Sequence, residues 1–211
     1  MIQKGLIVGL LEVNCYILGD EETKEAVVID PGGDEAAILD VLNHHQLKLK
    51  LIIDTHGHFD HVDANQPLKD ATGAKIAIHV ADAQMLDKPS SEAMFFTGNR
   101  LRLSQPDILL KENDILTFGA YRLKVLHTPG HTPGLQSVVL TSGGRSCIIA
   151  GDNVPFYENL RGGGMSGFQP STIYVDLESY YRSIRRILGL GFPVIPSHDI
   201  TLVEKGNLFD F

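Results

Sequence analysis

Four metal-ligating side chains fall within six positions of the segment Thr55-His56-Gly57-His58-Phe59-Asp60-His61, directly after the apolar run Leu51-Ile52-Ile53. Imidazole and carboxylate together are the donor set for zinc, iron or manganese. Three histidines and one aspartate this close would repel if charged and waste burial if neutral; a cation resolves that conflict. His56 and His58 stand two apart, so in an extended segment leaving a strand they point to one side, while Asp60 and His61 can turn back toward a second point. The spacing asks for two metal ions.

Three later segments offer partners for this cluster. In His127-Thr128-Pro129-Gly130-His131-Thr132-Pro133-Gly134, two prolines and two glycines around His131 fix the backbone, as a metal ligand requires and a surface loop does not. His127 ends a strand ahead of that turn and is expected to pack or to support the site from behind. Asp152 follows Gly151 at a strand terminus, where an aspartate alone would only make a turn; sixth in this series, it reads as the carboxylate bridging two ions. His198, in Pro196-Ser197-His198-Asp199, completes the set. The five ligand histidines are all expected in loops just beyond strand ends. His44 and His45 sit at the end of a predicted helix, where its dipole accounts for them, and His79 has an equally plain strand-end explanation.

The elements that must position these residues follow from the periodicity. Residues 6–10, 14–18 and 26–29 are short β-rich runs separated by turn formers, predicting an opening antiparallel meander. It ends at Asp30-Pro31-Gly32-Gly33, where Asp30 is either a turn residue or a carboxylate orienting a ligand histidine. Ile38, Val41, Leu42 and His45 repeat with the spacing of an amphipathic helix. Residues 47–54 form a strand delivering the ligand cluster at its C-terminal end, where sites collect in α/β architectures. Residues 62–72 predict a helix stopped by Gly73, starting near Pro67 or bending there. A strand over 75–79 and a short helix over 80–86 come next.

Residues 87–106 have no sustained period and read as a lid beside the site, with Phe95 and Phe96 as core residues the alternative. Strands follow at 108–110, 115–118, 121–126, 136–140 and 147–150. The glycine-rich stretch 156–168 reads as a flexible loop offering Tyr157 and Arg161 to a substrate. Asp176 caps a helix whose apolar stripe is Leu177, Tyr180, Tyr181, Ile184, Ile187 and Leu188, and 193–195 is a last strand.

A chain of 211 residues without a Pro/Ser-rich linker predicts one domain over 1–211. No apolar run approaches the length of a membrane span, and the N-terminus lacks a signal-peptide pattern. Cys15 and Cys147 read as reduced core residues, so a cytoplasmic location is expected. A formal charge of −8 without a basic cluster argues against nucleic acid or an anionic membrane as partner. A small molecule is the expected partner, and a homodimer is compatible with the composition.

The His-x-His-x-Asp-His cluster, Pro-Gly-His131, Gly-Asp152 and the late Ser-His198-Asp resemble the metallo-β-lactamase superfamily, and the order covers nearly the whole chain. The resemblance implies an α/β (α+β) αββα sandwich: two mixed sheets face to face, helices outside and metals at one edge. It implies that His56, His58 and His131 hold the first metal, Asp60, His61 and His198 the second, with Asp152 bridging. It also favours the orienting role for Asp30. Asp-Pro-Gly-Gly and Thr-His-Gly-His-Phe-Asp-His resemble small glyoxalase II-like hydrolases. Residues 152–160 and 176–186 resemble N-acyl homoserine lactonases, which carry a Tyr where this chain has Pro155; Tyr157 is expected to stand in for that phenol.

The expected function is hydrolysis of a thioester, ester or lactone by a hydroxide of a dinuclear site. The cofactors would be two divalent ions, zinc first, with iron or manganese as alternatives, and Asp60 could shuttle the proton. The rival is a mononuclear iron dioxygenase of the persulfide type, using only the positions of His56, His131 and Asp152.

Overall fold

The computed structural model describes residues 1–88, 94–95, 102–161 and 168–204. Its first half is a six-stranded mixed sheet in the order β1-β2-β3-β4-β5-β6. β1 (Ile2–Val8), β2 (Val13–Gly19) and β3 (Glu25–Ile29) form the expected antiparallel meander. β4 (Lys48–Ile53), β5 (Lys75–His79) and β6 (Ile108–Leu110) then add in parallel. The helix α1 (Glu35–His44) makes the β3–β4 crossover and buries Ile38 and Leu42 of its predicted stripe.

The second half is a five-stranded sheet, β11-β10-β9-β8-β7. β7 (Ile115–Phe118), β8 (Tyr121–His127), β9 (Gln136–Ser142) and β10 (Arg145–Ile149) pair antiparallel, and β11 (Val194–Ile195) joins β10 in parallel. Alternate residues of the two sheets meet in a shared core: Tyr16, Leu18, Val27, Ile29, Leu51 and Ile53 face Leu123, Val138, Leu140, Cys147 and Ile149. The outer face of the first sheet is covered by α1 and α3 (Asn65–Thr72), with Ile38, Leu42 and Leu68 in that cluster. The outer face of the second carries Ile187 of α4 (Leu177–Gly189). Helix, sheet, sheet, helix is the predicted sandwich.

Three local expectations are corrected. The helix after the ligand cluster is split: α2 (Phe59–Val62) places Asp60 and His61 on one helical turn, and α3 restarts at Asn65. Pro67 lies in the first turn of α3, where its missing N–H has no intrahelical acceptor to lose, so Gln66 stays helical. Residues 80–86 hold only a 3₁₀ turn, Ala83–Met85, and Asp82 just ahead of it turns its side chain toward the His131 loop. Leu177 and Leu188 at the ends of α4 are exposed, so the buried stripe is Tyr180, Ser183, Ile184 and Ile187. Asp176 caps α4 as expected, accepting from Glu178 N and Ser179 N at 3.0 and 3.2 Å.

Much of residues 87–106, including Phe96, and residues 162–167 lie outside the described residues. Phe95 is 83% exposed and is no core residue. A last short helix, α5 (Ile200–Glu204), packs near β1. No helix among the described residues is long and apolar enough to cross a membrane.

Candidate metal centre

The site forms where the C-terminal ends of β4, β8 and β10 reach one edge of the sandwich. His56 follows β4, His131 sits in the loop between β8 and β9, Asp152 follows β10, and His198 follows β11. The structure brings all seven expected ligands together in two groups: His56, His58, His131 and Asp152, and Asp60, His61 and His198. His58 Nδ1 lies 3.0 Å from both His56 Nε2 and His131 Nε2, so three imidazole nitrogens converge on one point. Asp152 stands between the groups. Its Oδ2 is 3.2 Å from His131 Nε2, while its Oδ1 is 3.3 Å from His61 Nε2 and 3.4 Å from His198 Nε2. Asp60 Oδ2 is 3.6 and 3.7 Å from the same two nitrogens.

Four of the five ligand rings are aimed by what their other nitrogen meets. The Thr55 hydroxyl donates to Asp30 Oδ2 at 2.8 Å, which leaves its oxygen to accept from His56 Nδ1 at 3.1 Å. His61 Nδ1 lies 3.1 Å from Asp30 Oδ2. His131 Nδ1 donates to Ile173 O at 2.8 Å and His198 Nδ1 to Leu11 O at 3.1 Å. In these four rings Nε2 is left for the centre, the arrangement that fixes tautomer and orientation in metal sites.

The donors fit two divalent cations. His61 is buried with neither ring nitrogen in a well-aligned hydrogen bond, and its Nε2 faces Asp152 Oδ1 at 3.3 Å and Asp60 Oδ2 at 3.6 Å, donors that a cation between them would satisfy together. Burial, with neighbouring His61 and His58, holds His56 well below the ordinary imidazole range, and burial beside His131 brings His58 down to about 3. Those rings are neutral and free to ligate. Burial alone would lower His61, but Asp152, Asp60 and Asp30 raise it well above its usual value. Burial would likewise lift Asp152, yet His61 and His198 hold it far down. The second group therefore calls for positive charge at its centre.

Several supports were not apparent in the sequence. Ser197 Oγ donates to Asp152 Oδ1 at 2.6 Å. Asp82 accepts from Thr132 Oγ1 and Gly134 N, both at 2.6 Å, and clamps the His131 loop. Tyr180, expected only as part of an apolar stripe, donates its hydroxyl to Asp152 O at 2.7 Å and accepts from Ser171 N at 3.2 Å. Gly32 owes its identity to a close approach: a Cβ there would fall 1.6 Å from Asp60 O. Such long-range contacts leave no periodic trace; only the Asp-Pro-Gly-Gly and Pro-Gly-His punctuation hinted at them.

A cavity of about 440 Å³ opens on the metal ligands, its wall including Asp60, Asp152, His198 and Ile173. Tyr157 is not brought to it, which corrects the expectation that its phenol faces the substrate. It lies on a 3₁₀ turn, its ring packs against the inter-sheet core, and burial with Asp199 and Cys147 nearby raises its phenol. No described residue of 87–106 lines this cavity; Arg102 instead pairs with Glu35 and Asp63 at 2.8 and 3.0 Å. His79 and His127, outside the metal set, stack on each other at 4.0 Å.

Comparison with known proteins agrees with this geometry. Residues 8–198 match the model of the metallo-beta-lactamase superfamily. The chain is 33% identical over 129 residues to the hydroxyacylglutathione hydrolase GloC of Haemophilus influenzae, covering 60% of each chain. It is 30% identical over 186 residues to the mitochondrial persulfide dioxygenase ETHE1 of Mus musculus, covering 87% of this chain and 63% of that one. Among solved structures, the BLEG-1 B3 metallo-beta-lactamase superposes with a TM-score of 0.76 at 29% identity, covering 93% of this chain and 91% of the other. With its two-sheet sandwich, its seven converging donors and a match spanning nearly its full length, the chain belongs to the metallo-beta-lactamase superfamily.

Proposed function

We propose that this protein is a metal-dependent hydrolase that cleaves the carbonyl of a thioester, ester or lactone in a small molecule. The observation that carries the reading is Asp152, which offers one carboxylate oxygen to each ligand group at the floor of an open cavity. Two cations held there would acidify a water and withdraw electrons from the carbonyl. The chain's own part is to orient and to move protons. Asp60 lines the cavity, and while Oδ2 faces His61 and His198 its second oxygen can take the proton of the attacking water and pass it to the leaving oxygen or sulfur. Asp30 and Thr55 keep His56 and His61 aimed. Zinc is the first choice of ion for this His-rich set, with iron or manganese as alternatives. The buried, free Cys15 and Cys147 support a cytoplasmic location.

The test is a panel of thioesters, esters and lactones assayed with protein reconstituted with zinc, iron or manganese, with metal content measured in parallel. Turnover with two ions per chain is expected; two ions bound and no turnover on any member would end the reading.

A second reading, a persulfide dioxygenase using one iron, is favoured by the likeness to ETHE1 and by the placement of His56, His131 and Asp152 in one group. Against it, Asp60, His61 and His198 converge as a complete second group. Oxygen consumption with a persulfide at one iron per chain would establish it instead.

A further inference from the structure

Outside the metal ligands, the cavity wall is uncharged and largely apolar. Its apolar members are Leu11, Phe59, Pro155, Phe156, Pro170 and Ile173. Every ionisable side chain in the wall belongs to the metal set, and among the described residues no lysine or arginine lines it. The wall's remaining side chains, Asn159, Gln169, Ser171 and Thr172, are polar but uncharged, and Asn159 spends both its ends on backbone: Oδ1 accepts from Phe156 N and Nδ2 donates to Gln169 O. Among the described residues, an anionic substrate entering this cavity of a chain of formal charge −8 would therefore meet no lysine or arginine in its wall; Arg102, in the neighbouring cleft, is already paired with Glu35 and Asp63.

The mouth continues this character. Leu11, Phe156 and Ile173, all in the cavity wall, are 40%, 47% and 53% exposed. This apolar rim is tied directly to the centre, because Ile173 O and Leu11 O accept from His131 and His198. A ligand whose carbonyl sits at the floor would lay any extended tail across these residues, covering apolar surface that otherwise faces water.

Resting on the hydrolase reading, we propose that the substrate is an uncharged ester, thioester or lactone with an aliphatic acyl chain, and that Leu11, Phe156 and Ile173 select it by chain length. No anionic handle on the leaving group is needed. Each added methylene is expected to improve binding about two- to fourfold until the rim is covered.

The test begins with binding, using non-hydrolysable thioethers and calorimetry on the metal-loaded protein. S-octyl-N-acetylcysteamine should bind at least about tenfold more tightly than its S-methyl counterpart, and S-octylglutathione should bind no better than the uncharged octyl ligand. Phe156→Ser and Ile173→Ser, both at exposed positions, should each shrink the octyl advantage severalfold, while Leu109→Ser, exposed on β6 away from the cavity, should keep it. Equal binding of octyl and methyl ligands, or a clear preference for the glutathione form, would overturn the proposal. Hydrolysis of acyl thioesters with no dependence on chain length would overturn it while leaving the hydrolase reading standing. Tight octyl binding with no hydrolysis of the octanoyl ester, thioester or lactone would overturn the hydrolase reading itself, and with it the word substrate.

Discussion

Asp30 and His61 stand 3.1 Å apart, carboxylate oxygen to Nδ1, and the same carboxylate accepts the Thr55 hydroxyl that meets His56. One aspartate thus orients a ligand in each of the two metal groups. Its backbone is left-handed, with φ 53°, a conformation that asparagine also tolerates. Asp30→Asn is therefore expected to fold and yet to lower affinity for both ions by about ten- to a hundredfold. Thr55→Val should weaken only the ion held by His56. Zinc titration of both variants checks this, and an Asp30→Asn protein that binds two ions as tightly as the parent would remove Asp30 from the site.

Asp152→Ala should cost more metal affinity than any single histidine substitution, since a bridging carboxylate also screens the repulsion between two cations. His131→Ala should abolish hydrolysis and lower metal content, and His45→Ala should do neither. Equal losses for Asp152→Ala and His198→Ala in the same titration would mean that Asp152 serves one ion only.

The Asp-Pro-Gly-Gly turn makes a prediction about stability. With a Cβ at residue 32 landing 1.6 Å from Asp60 O, Gly32→Ala must push apart the turn and α2. A loss of about 1–3 kcal/mol is expected, together with weaker binding at the Asp60, His61 and His198 group. Urea unfolding of the metal-free protein separates the two effects; an unchanged midpoint would show that the turn yields freely.

What the sequence made legible is what spacing and punctuation encode. The seven ligands are residue types with few other reasons to cluster, and the sandwich follows from two runs of strands, each paired with helical stripes. The helix break after His61 escaped because Val62, Asp63 and Ala64 carry no breaker; the break comes from tertiary contact, with Ala64 N donating to Pro31 O. Asp82 and Tyr180 escaped for a similar reason: each supports the site from a distant element, and locally they look like a loop residue and one more apolar position. Tyr157 misled because a phenol two residues from a family position says nothing about which side of a 3₁₀ turn it leaves.

His79 predicts a pH dependence of stability. Burial, with His127 stacked on it, brings its imidazole down to about 4. Its unfolded value is about 6.5, so between those values the unfolded chain binds the extra proton, and stability falls as the pH drops from about 6.5 toward 4. His79→Phe keeps a flat ring and removes this contribution. The difference in urea midpoint between parent and variant should move in favour of the variant from pH 7 to pH 5, while the metal-site histidines cancel in the comparison. A constant difference would show that His79 is already free to protonate.

Tyr157→Phe is expected to change the rate on the best substrate by less than twofold. The ring packs against the inter-sheet core, its phenol lies near Asp199 and Cys147, and the cavity wall at this point is made by Pro155 and Phe156 instead. A hydroxyl that stabilised the transition state would be worth about 1–3 kcal/mol, or roughly ten- to a hundredfold in rate, so the two outcomes are well separated. Metal content and melting temperature are measured alongside, because loss of a half-buried hydroxyl acts on stability before it acts on catalysis. A tenfold fall in kcat at unchanged metal content would put the phenol back at the substrate carbonyl, and would require the turn at Tyr157–Leu160 to rotate when substrate binds.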